Sequence, residues 1–136
     1  MKEKLRRIVV IGCALLAGAG PALAQESLAA RVQKAQAAAK ANAASPEGRA
    51  WMQRHSAAVD ALLIPVLNGC LPQPEGDIPT AFSVFVRLSP KGGVHEVVTE
   101  LDAALGKCMT AAARAKTFPA APREDYWIQV NMAADL

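Results

Sequence analysis

Phe82-Ser83-Val84-Phe85-Val86-Arg87-Leu88-Ser89-Pro90-Lys91-Gly92-Gly93-Val94-His95-Glu96-Val97-Val98-Thr99 is the stretch on which the fold turns. Phe82, Val84, Val86 and Leu88 alternate with Ser83, Phe85 and Arg87, the two-residue period of a strand with one face in a core. Ser89 to Gly93 collects residues suited to a turn. Val94 to Thr99 then offers a second strand, its two faces less clearly divided, and the pair predicts a β-hairpin.

Downstream, Thr99-x-x-Asp102 can form a capping box. Leu101, Ala104, Leu105, Cys108, Met109 and Ala112 follow at helical spacing, which puts Cys108 on the buried stripe. Phe118-Pro119 ends that helix. Tyr126, Ile128, Val130 and Met132 alternate with Trp127, Gln129 and Asn131 in a last strand. Upstream, Ser45-Pro46-Glu47 supplies an N-cap followed by proline at the first helical position. Met52, His55, Val59, Leu62, Leu63 and Val66 then form one apolar face, with Trp51 and Ala58 beside it. Pro65 lacks the donor for a bond to the Ala61 carbonyl, so the regular helix should kink or end there. Asn68-Gly69 closes it and delivers Cys70. Leu71 to Thr80 holds three prolines and reads as an irregular connection. The order α-β-β-α-β predicts an α+β fold, a three-stranded antiparallel sheet packed against amphipathic helices.

Leu28 to Ala44 has 9 Ala in 17 residues, and its only large apolar groups are Leu28 and Val32. High helix propensity with little face to bury predicts an exposed helix or semi-rigid spacer over residues 25–45; the alternative is an arm that docks on a partner. The folding domain is then residues 46–136.

Residues 1–24 have the layout of a cleaved secretory signal: a cationic start through Arg7, an apolar run from Ile8 to Ala19, and Ala22-Leu23-Ala24 before the cut. Val10-Ile11-Gly12-Cys13 resembles a lipoprotein box, but the apolar stretch before Cys13 is too short for one. The chain is therefore expected in the periplasm, without a membrane span in its mature form. Removing this segment also removes the charge excess. Of 15 Lys+Arg and 12 Asp+Glu, residues 25–136 keep 11 of each, which leaves no electrostatic footprint for nucleic acid or a membrane surface. Three cysteines become two, and Cys70 with Cys108 in an oxidising compartment reads as one disulfide, the alternative being two buried thiols.

Catalytic constellations are missing from the pattern. His55 and His95 stand 40 residues apart outside any metal-binding frame, so no metal and no cofactor are expected. Ser56, Ser83 and Ser89 have no nucleophile-elbow context. Glu96, Glu100 and Asp102 sit where carboxylates normally favour a helix N-terminus. The chain is expected not to be an enzyme; a minimal site around His95 and these acids is the residual catalytic alternative.

Several strings resemble the TonB C-terminal-like family, especially its cysteine-containing members of the AgmX/PglI type. They are the helix ending at Cys70, Phe82 to Leu88, Lys91-Gly92-Gly93-Val94, Leu105-Gly106-Lys107-Cys108-Met109, Phe118-Pro119 and the closing aromatic strand, over about Val59 to Met132. The resemblance implies a small periplasmic module that lends a sheet edge to an extended peptide. A cleavable signal and a short Ala-rich stretch, in place of an uncleaved anchor and a long Pro-rich segment, argue against force transduction.

The binding mode is physically sound, because an open sheet has two edges of unpaired N–H and C=O groups. Val94 to Thr99 and Tyr126 to Met132 are the candidate edges, with Phe85, Val94, Glu96, Val98, Trp127, Gln129 and Asn131 as partner-binding residues. Phe85 and Trp127 fall on the opposite face, where cover by the second helix or the Ala-rich arm is favoured over an apolar contact patch, because an uncovered aromatic pair would invite aggregation. The expected partner is an envelope protein or peptide, with a homodimer open. The alternative function is an inhibitor or immunity-like protein that plugs an exported enzyme with the Leu71 to Thr80 loop.

Overall fold

A computed structural model describes residues 26–71 and 81–133. The proposed signal segment with Cys13, and all of the Leu71 to Thr80 connection except Leu71, lie outside the described residues. The elements are α1 (Leu28–Ala44), α2 (Pro46–Cys70), β1 (Ala81–Leu88), β2 (Val94–Thr99), α3 (Ala103–Arg114) and β3 (Tyr126–Ala133). The expected α-β-β-α-β unit is present with one further helix before it.

The three strands lie in the order β2-β1-β3, both pairings antiparallel. β1 is central, which fits its being the most apolar of the three: Val84, Val86, Leu88 and, on the reverse face, Phe85 are all buried. Both β2 and β3 are edges. Register slips between Arg87 and Leu88, so that Arg87 faces Glu96 while Leu88 faces Val94. His95 is the extra residue of this bulge. The turn beyond it is held from outside. Gly92 has a φ of 81°, its carbonyl accepts from Phe118 N–H at 2.9 Å, and a Cβ on it would lie 2.1 Å from the Phe118 oxygen. Only glycine fits there.

On one face of the sheet, Phe82, Val84, Val86, Val97, Ile128 and Val130 meet Trp51, Val59, Leu63 and Val66 of α2 and Leu105, Met109 and Ala113 of α3. Each such large side chain contributes about 1.5–3 kcal/mol on burial. Ser45 caps α2 as the sequence predicts, its Oγ accepting from Gly48 N–H at 3.0 Å. α2 does not stop at Pro65 but runs to Cys70. Burial of Val66 and Leu67 beyond the proline holds the last turn, and packing outweighs the one missing backbone bond. The Thr99–Asp102 capping box does not form. Thr99 is buried at the end of β2, its hydroxyl donating to the Ser83 carbonyl at 3.1 Å, and Asp102 is itself the cap, accepting from Ala104 N–H at 2.7 Å. The buried stripe of α3 is Leu105, Met109 and Ala113 rather than one containing Cys108, which is exposed. Cys108 nevertheless bridges Cys70, with Cα atoms 5.8 Å apart, and ties the end of α2 to α3.

The reverse face is where the Ala-rich segment goes. It is a helix, as one of the readings has it, but neither exposed nor a spacer: α1 packs on Phe85, Val98 and Trp127 through Leu28, Val32, Ala35 and Ala39. These four positions recur at four, three and four residues and form one stripe. Ala35 and Ala39 are buried because the volume opposite them is already filled by Phe85. The result is three layers, α1 on one side of the sheet and α2 with α3 on the other.

Candidate functional site

Two sheet edges exist, and side chains decide which of them is open. Ser83 fixes the alternation. Its N–H donates to Glu100 Oε1 and its carbonyl accepts from Thr99 Oγ1, so its backbone faces β2. Its partner across β3, Asn131, therefore turns its own N–H and C=O outward. Gln129 and Trp127 share that phase, and the Trp127 carbonyl is indeed met from outside by Asn42 Nδ2 at 2.9 Å. By the same alternation, His95, Val97 and Thr99 face outward on β2.

The β2 edge is occupied at Val97 and at the His95 carbonyl. Thr110 Oγ1 accepts from Val97 N–H at 2.9 Å and lies 3.2 Å from the Val97 carbonyl and 2.7 Å from that of Gly106. Arg114 Nη2 donates to the His95 carbonyl at 2.8 Å. α3 reaches this close because residue 106 is glycine, whose Cβ would sit 3.1 Å from the Val97 oxygen. Along His95 and Val97, β2 is thus an edge that a helix covers with its own donors and acceptors.

The β3 edge is different. The corner between α1 and α2 wraps its first residues, with Asn42 on Trp127 and Gly48 so near that a Cβ would lie 1.8 Å from the Asn42 carbonyl. Beyond that corner, no described residue bonds the outward N–H and C=O of Gln129 and Asn131. Alongside runs a groove of about 230 Å³, walled by Gln36, Ala39 and Lys40 of α1 on one side and Met52 of α2 on the other, with Trp127 and Gln129 as its floor. Side-chain amides hold the floor in shape. Gln129 Nε2 donates to Ser83 Oγ at 3.1 Å and to Asn131 Oδ1 at 3.2 Å.

The seven sequence-predicted contact residues divide accordingly. Phe85 and Val98 are buried under α1, and Val94 is buried in the main core, so none of the three offers a side chain to a partner. The reverse-face aromatics are covered, as the favoured reading has it, and of the two covers considered it is the Ala-rich helix. Glu96 is committed to an ion-pair network with Arg31 and, at 3.3 Å, Arg87, which reaches Asp125 at 3.0 Å and stacks over Trp127 at 5.8 Å. Trp127, Gln129 and Asn131 come together on the open edge. Sequence reasoning missed Lys40, Asn42 and Met52, which line it, and Thr110 and Arg114, which close the opposite one. Gly106 in mid-helix was the available signal, since an isolated glycine there marks a close backbone approach.

Spacing in the sequence predicts no metal site. The fold brings donor atoms of His95, Glu124 and Asp125 within 4.8 Å of one another on the surface. His95 Nε2 is already 3.0 Å from Glu124 Oε1, and Asp125 is held by Arg87. The triple reads as part of the charge network. His95 does not meet Glu100 or Asp102, which bond Ser83 N–H and the start of α3. His55 packs beside Trp51, ring centroids 5.1 Å apart. Near the groove, burial raises the pKa of the Tyr126 hydroxyl above its ordinary value, with Arg123 pulling the other way and Glu47 adding to the rise.

Among the described residues no helix is long and apolar enough to cross a membrane. Comparison with known protein families, with curated proteins and with solved structures finds no match.

Proposed function

We propose that the protein is a non-catalytic interaction module of the periplasm, similar to the TonB C-terminal-like domains, that binds an envelope protein or extended peptide by adding it as a fourth strand to β3. The observation that carries this reading is the contrast between the two edges. Val97 and the His95 carbonyl are bonded by α3, whereas the outward donor and acceptor of Gln129, in the groove, and of Asn131, beyond it, are met by no described residue. An added strand satisfies these groups, and the groove walls select side chains. The Cys70–Cys108 bridge accords with an oxidising compartment.

Proline tests the mode of contact. On an edge strand it deletes an outward N–H without touching the ladder on the other side. Gln129→Pro and Asn131→Pro should each abolish partner capture in envelope crosslinking while the protein still unfolds cooperatively near its original temperature. Lys107→Glu, on the β2 side, should leave capture unchanged. Undiminished capture by both folded proline variants overturns the reading.

A further inference from the structure

We infer that the segment received by β3 alternates apolar with acidic side chains, the acidic ones on the side of α1; this rests on the edge-addition reading above. A strand bonded to β3 inherits its alternation. Side chains opposite Trp127, Gln129 and Asn131 point toward the sheet face that α1 covers, and those opposite Ile128 and Val130 point toward the face of α2.

The two walls differ in chemistry. On the α2 side the groove offers Met52, half-buried, with an unbranched thioether that adapts to an apolar neighbour. On the α1 side it offers Gln36 and Lys40. Lys40 is exposed, and among the described residues it makes no ion pair. It is the one charged side chain among the described residues that line the groove, and no carboxylate lines it. At the groove's end Arg123 Nη2 donates to Asn42 Oδ1 at 2.6 Å and adds a second positive charge beside Asn42, which binds the edge. The carboxylate that acts on the Tyr126 hydroxyl, Glu47, belongs to the first turn of α2, so the α1 wall itself stays positive. It also disfavours a second copy as occupant, since β3 paired with β3 brings two such positive walls together while supplying no acid.

Three ten-residue peptides test the inference, valine alternating with aspartate, with serine or with lysine, each titrated against the purified protein by fluorescence anisotropy. The aspartate peptide should bind about fivefold tighter than the serine peptide, the lysine peptide weakest, and the spread should shrink in high salt. Lys40→Glu should invert the order. Gln129→Pro should lose all three; if that variant does not fold, Asn131→Pro takes its place. Equal affinities, or an order that Lys40→Glu leaves unchanged, overturn the acidic preference while edge addition stands. Failure of every peptide, or binding that the folded proline variant retains, overturns edge addition and the inference with it. Sedimentation of the protein alone as a dimer that Gln129→Pro dissociates puts a second copy in the groove and overturns the inference.

Discussion

The Thr110 hydroxyl on α3 and the backbone of Val97 on β2 are bonded at 2.9 Å through the Val97 N–H, with the Val97 carbonyl 3.2 Å away. One side chain thereby does for β2 what a neighbouring strand would do. Thr110→Val keeps the shape and removes the partner. Leaving a half-buried amide unsatisfied costs about 1–3 kcal/mol, so the urea midpoint should fall by that equivalent. Sedimentation of the same variant should show concentration-dependent association through the newly opened edge. An unchanged midpoint with no association would contradict the role given to Thr110.

The Cys70–Cys108 bridge closes a loop of sequence separation 38. Chain-entropy reasoning gives it about 4 kcal/mol, a large part of the roughly 5–15 kcal/mol of an ordinary domain. Reduction, or the double change Cys70→Ala with Cys108→Ala, should lower the unfolding free energy by about that amount. Two free thiols in the native protein would remove the basis for this.

Tyr126 is the single tyrosine of the chain, so absorbance at alkaline pH reports it alone. Its folded-state pKa is raised, chiefly by burial. The folded protein therefore favours the neutral phenol. The stability tied to this group is present in full below the unfolded pKa of about 10 and is lost as pH rises through the folded value. Spectrophotometric titration should give a midpoint above that of the unfolded chain. Arg123 opposes the rise, so Arg123→Ala should move the midpoint further up; a shift downward would contradict the assignment.

Gly48 lets α1 and α2 meet at their corner, with room for no Cβ beside the Asn42 carbonyl. Gly48→Ala must push that corner apart. The expected loss is on the order of 2–4 kcal/mol. Because α1 is what covers Phe85 and Val98, the variant should also bind a hydrophobic dye and be cut within α1 by low protease. Equal resistance to protease would mean that α1 is held without the corner.

Much of the scaffold was legible because β1 and β3 each carry a period of two. Phe82, Val84, Val86 and Leu88 lie on one buried face, as do Tyr126, Ile128, Val130 and Met132. Ser45 and the cysteine pair were equally readable, since a cap and a count are local properties. The docking of α1 was legible only from the sheet side, as a cover that Phe85 and Trp127 call for, because its own buried positions are mostly alanine, and alanine gives helix propensity without announcing a contact. The burial of Phe85, Val98 and Val94 was not legible, because an alternating pattern tells which face a side chain shares and not what lies over that face. The closing of β2 by Thr110 and Arg114 depends on the strand order and on where α3 lies, and both are long-range facts. Lys40 and Met52 came to the site for the same reason, from helices brought to one edge by the turn at Ser45.

The sulfur bridge has a mechanical consequence. Cys70 ends α2 and Cys108 lies within α3, so β1, β2 and the turn between them sit inside a covalent ring. Tension applied between the two ends of the folded unit passes through the sulfurs and bypasses that hairpin. Some 38 residues, about 130 Å of extended chain, cannot be drawn out. What can yield is α1, α2 and the last strand, while the central strand and its β2 neighbour remain joined as a knot of fixed length on the line of pull.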